Sequence, residues 1–310
     1  MNILRIKFII PNHYSFDLDN FKGFSITFNK IILRFEITMS ESPSYRSYVF
    51  KSNEFDFPID DELIQKIINS LYLTSLDFGN GLLINPNLKS SWIAKSFLAD
   101  LKSQHGVNIE DDFIGVKVLP SDTKIMGAGP VTLHGKSSIK IFEEGLNKYI
   151  NLNFTNSEKI IRAIEIYNSS TYLNIVNKSA GFILHMTAIE ALIDQPKVSK
   201  RLQNSINSYL NRVNQLKIGK EEKSSINGSL NLLKKMSIKR SGKYLVESLL
   251  DTDKKYNGFS PSEFFSKAYD LRSNFVHFGI TKTKDLDIKT IQMQSFTSDL
   301  LKAYFNKICC

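Results

Sequence analysis

Arg272 and His277 stand five residues apart in the stretch YDLRSNFVHFG, Tyr269 to Gly279, and both are residue types that do chemistry. A guanidinium offers a planar fork of donors to phosphate oxygens. An imidazole ordinarily titrates near pH ~6.5 and can take or give a proton, a role worth ~10²–10⁴-fold in rate. On an ideal helix the two side chains point about 140° apart. One helix face therefore presents both to one atom only if the helix distorts or ends there, and Gly279 just beyond is the residue expected at such an end. A second copy related by a two-fold axis is the other route, bringing the polar side into a shared cleft.

The helix that must carry them starts at about Ser262. Phe264, Ala268, Leu271 and Phe275 form one apolar stripe, with Phe265, Tyr269, Arg272 and Val276 beside it. His277 falls on the polar side with Ser266, Asp270 and Ser273. A purely structural reading is available for each residue: a histidine in a last turn meets the negative end of the helix dipole, and an arginine beside a core stripe buries its stem and pairs with a carboxylate. The carboxylate is in view. Glu190 lies within GFILHMTAIEALI, the most apolar helix of the chain, where a lone charge is costly. A Glu190–Arg272 pair either ties two helices together or turns Arg272 towards a phosphate.

Other chemistries find little support. GPVTLHGKS resembles a phosphate-binding loop, but five residues separate Gly129 from Gly135 where that loop needs four. GAGPVT lacks the third small residue of a dinucleotide fingerprint and carries Pro130 inside the turn. His13, His105, His134, His185 and His277 have no metal-ligand spacing with cysteine or carboxylate, so neither a metal nor a cofactor is expected. There is no Gly-x-Ser-x-Gly and no cysteine near a histidine, while a Ser–His–Asp triad drawn from distant parts of the chain is not decided by sequence. Cys309 and Cys310 are adjacent and form no disulfide framework, which suits a reducing cytosol; lipidation of the pair is a lesser reading.

The periods of the chain change halfway. Leu4, Ile6 and Phe8 alternate with Arg5 and Lys7; Leu33, Phe35 and Ile37 alternate with Arg34, Glu36 and Thr38; Ile114, Val116 and Val118 line one side of a third segment. These are half-buried strands. Helices are predicted over Asp60–Leu73 and Ser91–Gln104. From about Ser157, a capping candidate, every segment repeats at helical spacing, with breaks at Pro196, Gly219, Gly242, Asn257-Gly258 and Gly279. The expected fold is therefore α+β: a mixed, β-rich domain over residues 1–154, then an all-helical bundle over residues 155–310. Residues 1–150 hold 16 Lys or Arg against 17 Asp or Glu, whereas the remainder holds 24 against 14. The basic surplus of the second half suggests a polyanion partner, nucleic acid first, with simple solubilisation as the bland alternative. No apolar run is long enough for a signal peptide or a membrane span, so a soluble, cytoplasmic protein is expected.

The stretch AIEALI, the basic helical region after it and AYDLRSNFVHFG together resemble the Apea-like branch of the HEPN superfamily, whose mark is an arginine followed by a histidine after four to six residues. The resemblance covers residues 155–310. It implies a helical bundle that pairs into a two-fold homodimer with both motifs in a basic cleft. Many members are metal-independent endoribonucleases of toxin, abortive-infection or anti-phage systems, and others only bind. It implies Arg272 and His277 as catalytic residues, with Glu190, Ser273 and Asn274 supporting. The family often has Asn after the arginine; here Ser273 stands there with Asn274 next, so either residue can fill that role. RNA brings its own nucleophile, the 2′-OH, and the implied products are a 2′,3′-cyclic phosphate and a 5′-OH. Implied partners are RNA, a second copy, and an antitoxin or phage-derived trigger. The alternative is a non-catalytic module for dimerisation or RNA binding. Basic residues in KVSKRLQ, LKKMSIKR and DKKY are candidates for tracking an RNA backbone.

Overall fold

The computed structural model describes residues 1–11, 23–28, 31–41, 45–77, 81–84, 99–100, 102–104, 106, 108–126, 139–152, 154, 157–278 and 283–309. The N-terminal half supplies β1 (Asn2–Pro11), β2 (Phe24–Phe28), β3 (Ile31–Glu41), β4 (Tyr45–Ser52), β5 (Ile109–Asp111), β6 (Gly115–Pro120) and β7 (Lys124–Met126). Five strands form one sheet in the order β2-β3-β4-β1-β6, and β5 pairs with β7 separately. Every pairing within the five-stranded sheet is antiparallel, and among the described strands the parallel pairing is confined to β5–β7.

Alternation sets the register. Leu4 pairs with Val118 and Ile6 with Val116 on one side of β1, while Ile6 pairs with Phe50 and Phe8 with Tyr48 on the other. Leu4, Ile6 and Phe8 are fully buried. Arg5 and Lys7 depart from the half-buried pattern, because both are buried too. Asp112 pairs with the two cations, and Arg5 Nη1 donates to the Phe113 carbonyl at 3.1 Å. The central strand is thus covered on both faces.

Two helices lie against the apolar face. In α1 (Asp61–Asp77), Asp60 Oδ1 accepts from the Leu63 N–H at 2.8 Å, an N-terminal cap. The second, α2 (Ile139–Ile150), was not expected. Its Phe142 ring stacks on Phe8 at 5.5 Å and meets Phe50 edge-on at 5.1 Å. Of the helix expected over Ser91–Gln104, only residues 99–100 and 102–104 are described, and these are helical.

The second half is helical in every described element: α3 (Glu158–Val176), α4 (Lys178–Glu190), α5 (Lys200–Gln215), α6 (Lys220–Leu232), α7 (Ile238–Leu249), α8 (Pro261–Phe278) and α9 (Thr283–Cys309). Ser157 does precede α3, but its hydroxyl donates to the Phe154 carbonyl and caps no helical N–H. Gly242 does not break a helix. It lies inside α7, where a Cβ would sit 2.2 Å from the Phe265 ring, so the missing side chain lets α8 pack close.

Two apolar cores hold these layers. One runs from the sheet through Leu71, Phe142 and Leu146 to Ile160, Ile164 and Tyr167 of α3, and on to Ala188, Leu301 and Phe305. It therefore joins elements on both sides of residue 154. The other gathers Phe182, Met186 and Ile189 of α4 with Val246, Phe264, Phe265, Ala268, Met293, Phe296 and Leu300. Since α4 contributes to both, it is apolar nearly all round, which accounts for its sequence.

Candidate functional site

The helix that carries Arg272 and His277 is started by local chemistry. Pro261 occupies the first turn, where its missing N–H costs nothing. The Glu263 carboxylate accepts from Ser260 N–H at 3.1 Å and from Ser260 Oγ at 2.7 Å. Those bonds hold its pKa below the ordinary carboxylate value. Just upstream, Asn257 at φ 51° and Gly258 at φ 82° make a tight turn that pairs Tyr256 with Phe259 and drives the Tyr256 ring into the core. Phe264, Phe265 and Ala268 then bury α8 on one side. Further along, Asn274, Val276 and His277 are exposed, so the helix leaves the core as it reaches the candidate residues.

Arg272 meets Glu190. Its Nη2 lies 3.3 Å from Glu190 Oε2, with side-chain exposures of 25% and 18% respectively. A forked pair would use two parallel bonds; this one uses a single long contact. Burial pushes the Glu190 carboxyl above its ordinary value, and the Arg272 charge opposes that without cancelling it. Glu190 sits at the last residue of α4, so the pair joins that helix to α8. Nη2 of the guanidinium is engaged by Glu190, and a quarter of the side chain still faces out.

His277 is on the same helix, which runs without a break to Phe278. The 140° separation therefore stands, and one chain does not bring Arg272 and His277 to a common atom. Gly279 and the phosphate-loop-like residues 129–137 lie outside the described residues, as do His13, His105 and His134. Ser273 is half-buried and Asn274 exposed, and neither makes a side-chain hydrogen bond among the described residues. The structure thus brings Glu190 to Arg272 and leaves the supporting role of Ser273 and Asn274 without a contact.

No protein-family model, curated protein or solved structure matches the chain. Two residues outside the expected site bear on it. Lys239 Nζ of α7 lies 2.7 Å from both carboxylate oxygens of Asp270. Asp270 and His277 are seven residues apart, within about 20° on the helix and ~10 Å along it. A cation of α7 therefore sits on the His277 face. The signal was the run LKKMSIKR, although nothing local says that it meets α8.

His185 has a different character. It is completely buried between α3 and α4. Ser170 donates to the Tyr167 carbonyl at 2.6 Å, which leaves its oxygen to accept from His185 Nδ1 at 2.9 Å, and Asn174 Nδ2 donates to Nε2 at 3.0 Å. That bonding fits a neutral ring protonated on Nδ1. Burial holds its pKa down to about 3. It is a structural residue.

Among the described residues no group of three or more His, Cys, Asp or Glu is placed to hold a metal ion, and no helix is long and apolar enough to cross a membrane. A cavity of about 450 Å³ lies in the sheet half, lined by Ser25, Arg34, Glu36, Lys51, Asn53 and Glu54 among others. Neither Arg272 nor His277 lines it.

Proposed function

We propose that the chain is a HEPN-type, metal-independent endoribonuclease that acts as a two-fold homodimer, in the cytoplasm, in an anti-phage or toxin–antitoxin setting. The observation that carries this reading is Arg272, held by Glu190 through Nη2 and a quarter exposed, on the same helix as an exposed His277. In the reaction, the 2′-oxygen loses its proton to an imidazole and attacks phosphorus. The bond to the 5′-oxygen breaks, and that oxygen takes a proton. Arg272 forks onto the non-bridging oxygens as they gain charge, a contribution of ~10²–10³-fold. Because α8 separates Arg272 from His277 by about 140°, a cleft shared by two copies is the arrangement that unites them. Such a cleft sets Arg272 of one copy beside His277 of the other, and that imidazole takes the 2′-OH proton.

A non-catalytic module for binding RNA or a protein partner is the second reading. It is favoured by the coverage of Arg272, three-quarters buried in a pair that also fits a plain tie between α4 and α8. The deciding experiment incubates purified protein with end-labelled tRNA and total RNA in EDTA, beside Arg272→Ala and His277→Ala. Cleavage by wild type alone, leaving cyclic phosphate ends, supports the nuclease. Three inert proteins favour the binding module, and two mutants that cleave like wild type overturn the site.

A further inference from the structure

The charge of this protein is concentrated in one part of its structure. Residues 197–240 carry eleven Lys or Arg and two acidic residues, a surplus equal to the +9 of the whole chain. Everywhere else, 29 basic residues balance 29 acidic ones. This segment is α5, α6 and the first residues of α7. Among the named elements α5 and α6 pack on each other and on nothing else. Ile206 is the single buried residue of the two helices. They form an arm ~24 Å long standing off the body. Its base is closed by the Val198 N–H on the Lys234 carbonyl at 3.0 Å and the Met236 N–H on the Pro196 carbonyl at 2.9 Å. That closure sets KVSKR beside LKKMSIKR, two runs that together hold seven cations and no acidic residue, with Asp270 of α8 against Lys239. Of the eleven basic residues, Lys239 alone is in an ion pair among the described residues.

Two exposed tyrosines add a feature that charge alone lacks. Tyr209, 57% exposed on α5, has the Arg212 guanidinium 5.9 Å from its ring centre. Tyr244, 50% exposed on α7, has Arg240 at 5.7 Å and accepts from its Nη2 at 3.2 Å. An outward aromatic face beside an arginine is a platform for an unpaired base, and cations spaced around it follow the backbone. The arm also leads somewhere. Through Lys239 and Asp270 its base meets α8 on the face that presents His277.

We propose that the arm and the start of α7 grip single-stranded RNA, with Lys197, Lys200, Arg201, Lys234 and Lys235 on phosphates and Tyr209 and Tyr244 under bases, and deliver it to His277. The proposal rests on the ribonuclease reading for the choice of RNA. Its own support is the separate arm, the cations and the two tyrosines.

The test uses the full chain with His277→Ala, to prevent cleavage, and a fluorescein-labelled single-stranded RNA of about 20 nucleotides. Anisotropy is read over a salt series. Replacing Lys197, Lys200, Arg201, Lys234 and Lys235 by Gln is expected to weaken binding at least tenfold and to flatten the log–log salt dependence by ~0.7 for each phosphate no longer neutralised. Tyr209→Ala is expected to weaken binding about tenfold with the slope unchanged. A Lys→Arg version of the four lysines keeps wild-type affinity, which separates charge loss from misfolding. Unchanged affinity and slope in the Gln variant overturn the proposal. So does a Gln variant that keeps RNA but loses phosphatidylserine vesicles, which would make the arm a membrane contact, or one that keeps RNA but loses self-association. The two readings also fail separately. Wild type that binds through the arm yet never cleaves sinks the nuclease and leaves the grip; with His277 restored, a Gln variant that cleaves with unaltered kcat/KM sinks the grip and leaves the nuclease.

Discussion

Arg272 Nη2 is 3.3 Å from Glu190 Oε2, while Arg272 Nε and Glu190 Oε1 are both buried and without a hydrogen-bond partner among the described residues. The pair is incomplete on both sides. Arg272→Ala would leave the carboxylate buried without its cation, an expected cost of about 1–3 kcal/mol at neutral pH in urea unfolding. Glu190 has its folded pKa raised above the unfolded value, so its contribution is most favourable at low pH and is lost as pH rises through the folded pKa. The Arg272→Ala penalty should therefore be smaller near pH ~5 than near pH ~7. Adding Glu190→Gln should recover most of it. A penalty that is independent of pH and untouched by Glu190→Gln would refute the pairing as its cause.

The 140° between Arg272 and His277 leads to a complementation test. If one copy supplies Arg272 and the other His277, mixed dimers of Arg272→Ala and His277→Ala chains regain one intact site. Random re-pairing should return about a quarter of wild-type cleavage from two inactive proteins. No recovery after verified subunit exchange would place both residues of a site on the same chain.

Arg272→Lys keeps the charge and loses the planar fork. Cleavage should drop tenfold or more while urea stability stays within about 1 kcal/mol of wild type. His277→Ala, at an exposed position, should lower cleavage by ~10²–10⁴-fold and shift stability by less than about 0.5 kcal/mol. Equal losses of stability and activity in these variants would point to folding instead of chemistry.

His185 should make the fold acid-sensitive. Its folded pKa of about 3 lies below the ordinary histidine value, so its share of stability is full above pH ~6.5 and declines as pH falls towards the folded value. The decline has a limit of about 1.4 kcal/mol per pH unit. Comparing wild type with His185→Gln between pH ~6.5 and ~5 isolates it, and the variant should show the shallower slope. Parallel curves would mean the ring is protonated in the native state.

Gly242→Ala should cost about 1–3 kcal/mol, because the added Cβ meets the Phe265 ring at 2.2 Å inside a packed core. Gly228, on the arm, has nothing within 4 Å of the same added atom, and Ala there should be neutral or stabilising in thermal unfolding. The contrast between two helical glycines checks the packing of α7 on α8.

What the sequence determined by itself was local. Alternation over Leu4–Phe8 and helical spacing from Ser157 onward follow from side-chain direction, so strands and helices were legible without knowing their neighbours. A charge on the apolar stretch before Pro196 demanded a partner, and Arg272 was nameable as one, since burial of a lone carboxylate is costly wherever it occurs. What depends on distant covering surfaces was not legible. Arg5 and Lys7 look solvent-facing until Asp112 closes over them. Gly242 looks like a break until Phe265 fills its place. The eleven cations of residues 197–240 look like scattered helix surface until an antiparallel bridge between Lys197 and Lys235 sets two runs side by side. Periodicity says which side of an element seeks cover, and only tertiary structure decides which residues provide it.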